Sequence, residues 1–311
     1  MRHHLGATTR TGQGLHGPTL PPGLRRAVHP GSGLLHPVVT PRTGFGYLDE
    51  PGPVLAFAHR GGAYHPEIEG LENTLAAFRH AVALGYGYLE TDAHVTRDGV
   101  LLAFHDSVLD RVTDQRGEIG ALTHAEVRRA LVGGRESVPT LAELFEAFPR
   151  ARFNIDLKSD GAVPALAEFI AAREAWGRVL VGSFSRRRTR RFRALTAGRV
   201  PTAATPVEIA LFRFLPSARL AALLSGGRSA ALQVPHRRGR LTIATAGLVR
   251  RAHATGRHVH VWTIDDADEM RLLLDRGVDG LFTDRTDILK DVLTERDQWQ
   301  DGARGQDREA P

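Results

Sequence analysis

The chain has 311 residues, 42% of them hydrophobic and 24% charged, which is enough apolar mass for a large globular core. No run approaches the roughly 18 apolar residues of a membrane-spanning helix. The absence of cysteine removes disulfide frameworks, zinc–thiolate sites, iron–sulfur clusters and cysteine nucleophiles. The formal net charge of +6 sits mostly at one end: residues 1–48 hold Arg2, Arg10, Arg25, Arg26 and Arg42 but no lysine and no acid, which leaves 36 bases against 35 acids elsewhere. A near-neutral body predicts no nucleic-acid partner.

Residues 1–46, rich in Gly, Pro, Thr and His, carry no strand or helix period and read as a disordered basic tail. They lack the continuous apolar stretch of about 7–15 residues that a secretory signal needs, so a cytoplasmic location is expected. From 47 to 296 the chain alternates β-rich runs with helical patterns. The strand candidates are Val54–Ala58, Tyr88–Ala93, Arg152–Leu157, Val179–Ser183, Val200–Thr205, Ala230–Val234, His258–Thr263 and Gly280–Thr283. Between them lie helical patterns at Thr74–Leu84, Val163–Glu174, Arg186–Leu195, Pro206–Phe214, Thr245–Thr255 and Asp266–Asp275. Strands separated by helices at this spacing pair in parallel through right-handed crossovers. Eight of them over about 240 residues predict an α/β fold, a (β/α)8 TIM barrel. An open doubly wound sheet is the rival, but no Gly-rich dinucleotide fingerprint follows the first strand. From about 94 to 140 an extra strand (Val100–Phe104), a charged loop and a short helix (Thr123–Leu131) form a small insertion after the second strand. In a barrel that loop lies on the catalytic face, so the insertion is expected to build part of the cleft. Residues 297–311 read as a polar C-terminal tail.

Barrel active sites lie where strands end at their C-terminal face. There the first strand ends in His59-Arg60-Gly61-Gly62, and the second carries Glu90 and Asp92, whose i,i+2 spacing turns both side chains to one face. The next carries Asn154, Asp156 and Lys158 in the same alternation. Inward carboxylates are costly unless paired or bound to a cation. Two readings stand at this point: an oxygen-ligand site for a hard divalent cation, Mg²⁺ or Ca²⁺, or ion pairs of Glu90 and Asp92 with Arg60 and Lys158. Lys158 stands out because Lys290 is the only other lysine in an arginine-dominated chain. His59, and His105 after the extra strand, have the side chain suited to general acid–base work near neutral pH.

Together these residues resemble the glycerophosphodiester phosphodiesterase family. The matching motifs are His59-Arg60-Gly61, Glu72-Asn73-Thr74, Glu90-Thr91-Asp92, Thr96-Arg97-Asp98-Gly99, His105-Asp106 and Pro139-Thr140-Leu141. They continue with Asn154-Ile155-Asp156-Leu157-Lys158, Val261-Trp262-Thr263-Ile264, Gly277-Val278-Asp279-Gly280 and Thr283-Asp284. The resemblance spans about Ala56 to Ile288 and implies the same barrel. It implies Glu90, Asp92 and Asp156 as metal ligands, and His59 and His105 as the acid–base pair. It implies Arg60 and Lys158 on the phosphoryl oxygens; Glu72, in Glu72-Asn73-Thr74, and Trp262, at the seventh strand end, are candidates to position or line the substrate. The implied reaction is hydrolysis of a small-molecule glycerophosphodiester to sn-glycerol 3-phosphate and an alcohol, through a cyclic phosphate. Asp156 departs from the family's usual Glu and is one methylene shorter, which bears on how it reaches an ion. The final Thr-Asp-Pro is Thr283-Asp284-Arg285 here.

Other residues have plainer alternatives. Asn73 suits either substrate positioning or the cap of the helix from Thr74. His94 shares the Glu90/Asp92 face, Trp262 suits a pocket wall or core packing, and Gln233 is a polar residue in a buried strand. The arginines at 186–188, 190, 191 and 193 read as a solvated helix face. Two other functions fit the same chain: a phospholipase D-like reaction on lysophospholipids or sphingomyelin, and a silent barrel that only binds. The leaving alcohol and the oligomeric state are not legible in the sequence.

Overall fold

Runs of β-branched and aromatic residues form the staves of the fold, and Ser, Thr or Asp at the stave ends start the helices that cover them. The computed structural model describes residues 41–49, 52 and 54–302. The strands of its main sheet are β1 (Leu55–Ala58), β2 (Tyr88–Val95), β3 (Leu101–Ala103), β4 (Arg152–Leu157), β5 (Val179–Gly182), β6 (Ala231–Pro235), β7 (His258–Trp262) and β8 (Gly280–Thr283). Seven of them pair in parallel in the order β5-β4-β2-β1-β8-β7-β6, while β3 runs antiparallel to the end of β2. The ring is completed by Thr202 and Ala203, which bridge in parallel to Val181 and Ala231. Val181 N–H donates to Pro201 O and Ala204 N–H to Ala231 O. This stave is shorter than the predicted Val200–Thr205 because Pro201 has no N–H for a ladder. With it the staves number eight, and the fold is the expected (β/α)8 barrel.

The helices begin at side-chain caps. Thr74 accepts from Ala77 N–H, Ser185 from Arg188, Thr245 from Leu248 and Asp266 from Glu269. Thr140 with Glu143 forms a reciprocal capping box, and Glu208 accepts from Thr205 N–H at 2.6 Å. The helices at Leu141–Ala147, Ala218–Leu224 and Thr286–Glu295 were not among the patterns picked out by periodicity. The Thr123–Leu131 helix is confined to His124–Val127, because Leu131 and Val132 leave it to pair with Ser137 and Glu136.

Two apolar layers hold the barrel. Outward residues such as Leu89, Phe153, Ile155, Val181, Val259 and Leu281 pack under the helices. Inside, Phe57 stacks on Phe282 with centroids 4.3 Å apart and meets Tyr88 edge-on at 5.2 Å. Leu180, Ala203 and Ala231 complete this layer. Tyr47 and Leu48, on the short helix Gly46–Asp49, join the same cluster, and Tyr88 Oη donates to Tyr47 O. Residues 1–40 of the tail assigned above lie outside the described residues. Residues 41–46 pack on the barrel, where His258 Nε2 lies 3.1 Å from Pro41 O. At the other end Trp299 packs edge-on against Tyr86. The insertion has a core of its own, in which Leu102, Phe104, Leu109, Ile119, Val127, Ala130, Val132 and Val138 are buried together. Among the described residues no helix is long and apolar enough to cross a membrane.

Candidate active site

A sharp turn delivers the first two site residues. Arg60, Gly61 and Gly62 take φ of 50°, 90° and 87° in succession. A Cβ at Gly61 would sit 2.7 Å from Ala77 Cβ, so only glycine lets the turn lie on the first barrel helix. The turn holds His59 and Arg60 over the end of the barrel. His59 Nδ1 is 2.9 Å from Asp284 Oδ1, and its Nε2 faces Glu90 Oε2 at 3.8 Å. A carboxylate oxygen accepts from an imidazole N–H, which assigns the hydrogen to Nδ1 and turns Nε2 toward the site. Burial alone would lower the His59 pKa, but the Glu90 charge and the Asp284 hydrogen bond outweigh it and raise it.

The carboxylates line the neighbouring staves. Parallel pairing sets Glu90 opposite Asn154 and Asp92 opposite Asp156. Glu90 accepts Arg60 N–H at 3.0 Å. Asp92 is flanked by Lys158 Nζ at 3.0 Å on Oδ1 and by Asn73 Nδ2 at 3.0 Å on Oδ2, with Arg60 Nε 3.4 Å away. Lys158 Nζ also donates to Asp156 Oδ2 at 2.7 Å. Burial pushes the Glu90 carboxyl up to about 7, and the Asp92 charge adds to the shift. Burial opposes ionisation of Asp92 too, but Lys158 and Arg60 more than reverse it and bring it down to about 2. Asp156 is raised, chiefly by burial. Lys158 is raised because Asp92 and Asp156 outweigh its own burial.

The insertion supplies the other histidine. His105 Nδ1 lies 2.5 Å from Asp106 Oδ1, and Asp106 Oδ2 accepts Arg111 Nε at 2.6 Å. Arg111 then forks onto Glu72, with Nη2 to Oε1 at 2.7 Å and Nη1 to Oε2 at 2.8 Å. Glu72 also accepts Arg60 Nη1 at 3.1 Å. His94 Nε2, 3.1 Å from His105 O, ties the loop to β2. His59 and His105 thus share one design, an aspartate on Nδ1 that leaves Nε2 free.

Among the described residues, no three His, Asp or Glu side chains form a group that could hold an ion. Lys158 instead bridges Asp92 and Asp156, which is close to the ion-pair reading. Two features still fit a hard cation. Asp156 Oδ1 is buried with no hydrogen-bond partner, and the donor set of Glu90, Asp92 and Asp156 is all carboxylate oxygen. The geometry as it stands matches the ion pairs more closely, and Glu90, Asp92 and Asp156 are the oxygen donors that the cation reading would draw on.

The remaining residues fall into place individually. Thr74, not Asn73, caps the helix. Asn73 sits at φ 59°, donates to Asp92 and accepts Thr91 Oγ1 at 2.7 Å, so it holds the floor of the site. Trp262 meets the exposed Phe184 edge-on at 5.8 Å, at the end of β7. Gln233 Nε2 donates to Asn154 Oδ1 at 2.6 Å, deep in the barrel. Arg111 was not picked out from the sequence, and Asp106 and Asp284 were noted only as parts of motifs. Only Asp106 had a local signal, since it adjoins His105.

The chain matches the model of the Glycerophosphoryl diester phosphodiesterase family over residues 59–288. It is 40% identical over 256 residues to "Probable glycerophosphodiester phosphodiesterase 2" of Mycobacterium tuberculosis, covering 81% of this chain and 95% of that protein. It is 29% identical over 282 residues to human lysophospholipase D, covering 76% of this chain and 85% of that one. An Oleispira antarctica phosphodiesterase, solved in complex with the product sn-glycerol-3-phosphate, superposes with a TM-score of 0.64 at 24% identity, covering 77% of this chain and 96% of that one. That last likeness supports the fold alone. The matched span holds both histidines, the three carboxylates, Arg60 and Lys158, and the chain belongs to the glycerophosphoryl diester phosphodiesterase family.

Proposed function

We propose that the chain hydrolyses glycerophosphodiesters to sn-glycerol 3-phosphate and an alcohol, with His59 and His105 as the acid–base pair. The observation that carries this reading is the matched pinning of the two imidazoles, His59 by Asp284 and His105 by Asp106, beside three carboxylates and two cations. A phosphodiester monoanion repels nucleophiles, so its oxygens must be screened as charge builds on them. Arg60 and Lys158 are the protein's cations for that task. A divalent ion held by Glu90, Asp92 and Asp156 would add Lewis-acid screening of the same oxygens. His59 takes the proton from the glycerol 2-hydroxyl as that oxygen attacks phosphorus. His105 gives a proton to the departing alcohol, leaving a cyclic phosphate. In the second step His105 takes a proton from water, and His59 returns one to the 2-oxygen as the ring opens. Glu72 and Arg111 hold the loops that carry Arg60 and His105, and Trp262 walls the substrate.

The test is release of glycerol 3-phosphate from glycerophosphocholine with Mg²⁺, Ca²⁺ or EDTA, for wild type and His59→Ala. Metal-supported release that His59→Ala abolishes is the expected result. No release from folded protein under any metal would overturn the reading. A second substrate class, lysophospholipids, is favoured by the likeness to human lysophospholipase D and by the exposed Phe184 beside Trp262. Choline release from lysophosphatidylcholine separates the two.

A further inference from the structure

The opposite end of the barrel holds a second charged recess that the catalytic reading leaves unused. A cavity of about 610 Å³ opens among the N-terminal ends of the stave at 200–204, β6 and β7. Arg42, Arg193, Arg228 and Arg257 line it together with Ser229 and Thr202, and among the described residues no Asp or Glu does. Arg193 is neutralised, since its Nη1 meets Glu208 Oε1 at 2.9 Å. The other three have no carboxylate within ion-pair reach among the described residues. Arg257 is only 4% exposed, yet its hydrogen-bond partners are neutral: Nη1 donates to Thr255 O at 2.8 Å and Nε to Ser229 Oγ at 3.4 Å. Burial lowers its pKa by more than the Glu208 charge, which lies beyond ion-pair reach and is already engaged by Arg193, raises it.

One plain role for arginines here is to cap the carbonyls at helix C-termini, and Arg257 does this for Thr255 just beyond the helix Ala246–His253. Arg42 and Arg228 have no such bond among the described residues, so capping does not account for their convergence. Nor does the chain's own N-terminal segment bring the missing charge, because residues 1–40 contain four arginines and no acid. A buried guanidinium without a counter-charge is costly, and a bound anion would remove that cost. Arginine forks with neighbouring hydroxyls match the oxygens of a phosphate, and the volume lies in the range of small-molecule sites.

We propose that this recess at the N-terminal face of the barrel is a binding site for a small phosphomonoester, with Arg42, Arg228 and Arg257 as its charged contacts. Three arginines without an ion-pair partner among the described residues, two of them exposed and one buried, suit a dianion, and the volume admits an organic phosphate as well as the inorganic ion. The inference stands on this cavity alone and does not depend on the proposed hydrolysis.

Titration calorimetry on the full chain, with sodium phosphate and with adenosine monophosphate at constant ionic strength, tests it. The Arg60→Gln/Lys158→Met background removes phosphate binding at the catalytic end. The expected result is saturable binding with a dissociation constant below about 1 mM (~4 kcal/mol) that persists in that background. It should weaken at least about tenfold (~1.4 kcal/mol) in Arg228→Gln and further in Arg42→Gln/Arg228→Gln. Tighter binding of the nucleotide would identify an organic phosphate as occupant, and equal binding the phosphate group alone. Arg228 is exposed, so its replacement tests the site without disturbing the fold that buried Arg257 supports. Binding that vanishes with Arg60 and Lys158, or that survives loss of Arg42 and Arg228, would overturn the proposal.

Discussion

Arg111 and Glu72 form a two-pronged ion pair that ties the inserted segment to the loop after β1. Both guanidinium Nη atoms lie within 2.8 Å of a Glu72 oxygen, and the remaining Nε reaches Asp106. One arginine thus couples the loop that carries Arg60 to the one that carries His105.

A lysine cannot reproduce that fork. Arg111→Lys should lower kcat about 10-fold or more while the unfolding temperature stays within a few degrees, because a misplaced acid–base group costs rate before it costs stability. Kinetics on glycerophosphocholine beside a thermal melt check this. An unchanged kcat would show that His105 keeps its place without the fork.

Asp284→Asn and Asp106→Asn each replace an acceptor of imidazole N–H by a group that can also donate, which frees the wrong tautomer. Each should cut kcat by about 10²–10⁴ with little change in KM. The two should combine less than additively if the histidines act in one proton relay, and a double-mutant cycle measures this.

Removal of buried carboxylate charge should tell an ion from an ion pair. If Glu90, Asp92 and Asp156 hold a divalent cation, then Mg²⁺ or Ca²⁺ at about 100 times its dissociation constant should stabilise the protein by about 2.7 kcal/mol. That gain should disappear in Asp156→Asn. A melting temperature indifferent to both ions, and to EDTA, would leave Lys158 and Arg60 as the counter-charges of Asp92, and Lys158 as that of Asp156.

Phe57 is fully buried, stacked on Phe282 and in edge contact with Tyr88. Phe57→Ala should cost about 3–5 kcal/mol, because staves fixed by their ladders cannot collapse onto the void. Denaturant unfolding followed by circular dichroism measures it.

Acid should loosen the cap of the helix Leu141–Ala147. Burial alone would raise the Glu143 pKa, but the hydrogen bonds from Thr140 N–H and Oγ–H outweigh it and lower it. A lowered folded-state value means the contribution is complete above the ordinary carboxylate range and fades as pH falls through the folded value. The stability gap between wild type and Glu143→Ala should therefore be constant from about pH 6 to 8 and narrow below about pH 4. A gap that widened in acid would contradict the sign.

Much of this arrangement could be read from local pattern. Glu90 and Asp92 two apart on a strand must share a face, as must Asp156 and Lys158, whatever the strand packs against. Thr140 with Glu143 announces a helix start through bonds that span three residues. Yet the helix Leu141–Ala147 escaped periodicity, because seven residues are too few turns to show a stripe. The stave at 200–204 is shorter than its composition suggests for the opposite reason: the residues suit a strand, but Pro201 limits the ladder.

By itself, the sequence determined the alternation of staves and helices, the inward pairs of carboxylates and the two histidine turns, since each depends on residues a few positions apart. Only the tertiary structure decided how they are partnered. His59 meets Asp284 from 225 residues away, and the β2–β4 register sets Asp92 beside Asp156, with Lys158 between them. Arg42, Arg193, Arg228 and Arg257 gather at the far end only when the barrel closes. Such meetings depend on strand order and register, which arise from the summed burial of the whole core and leave no trace in any one stretch of chain.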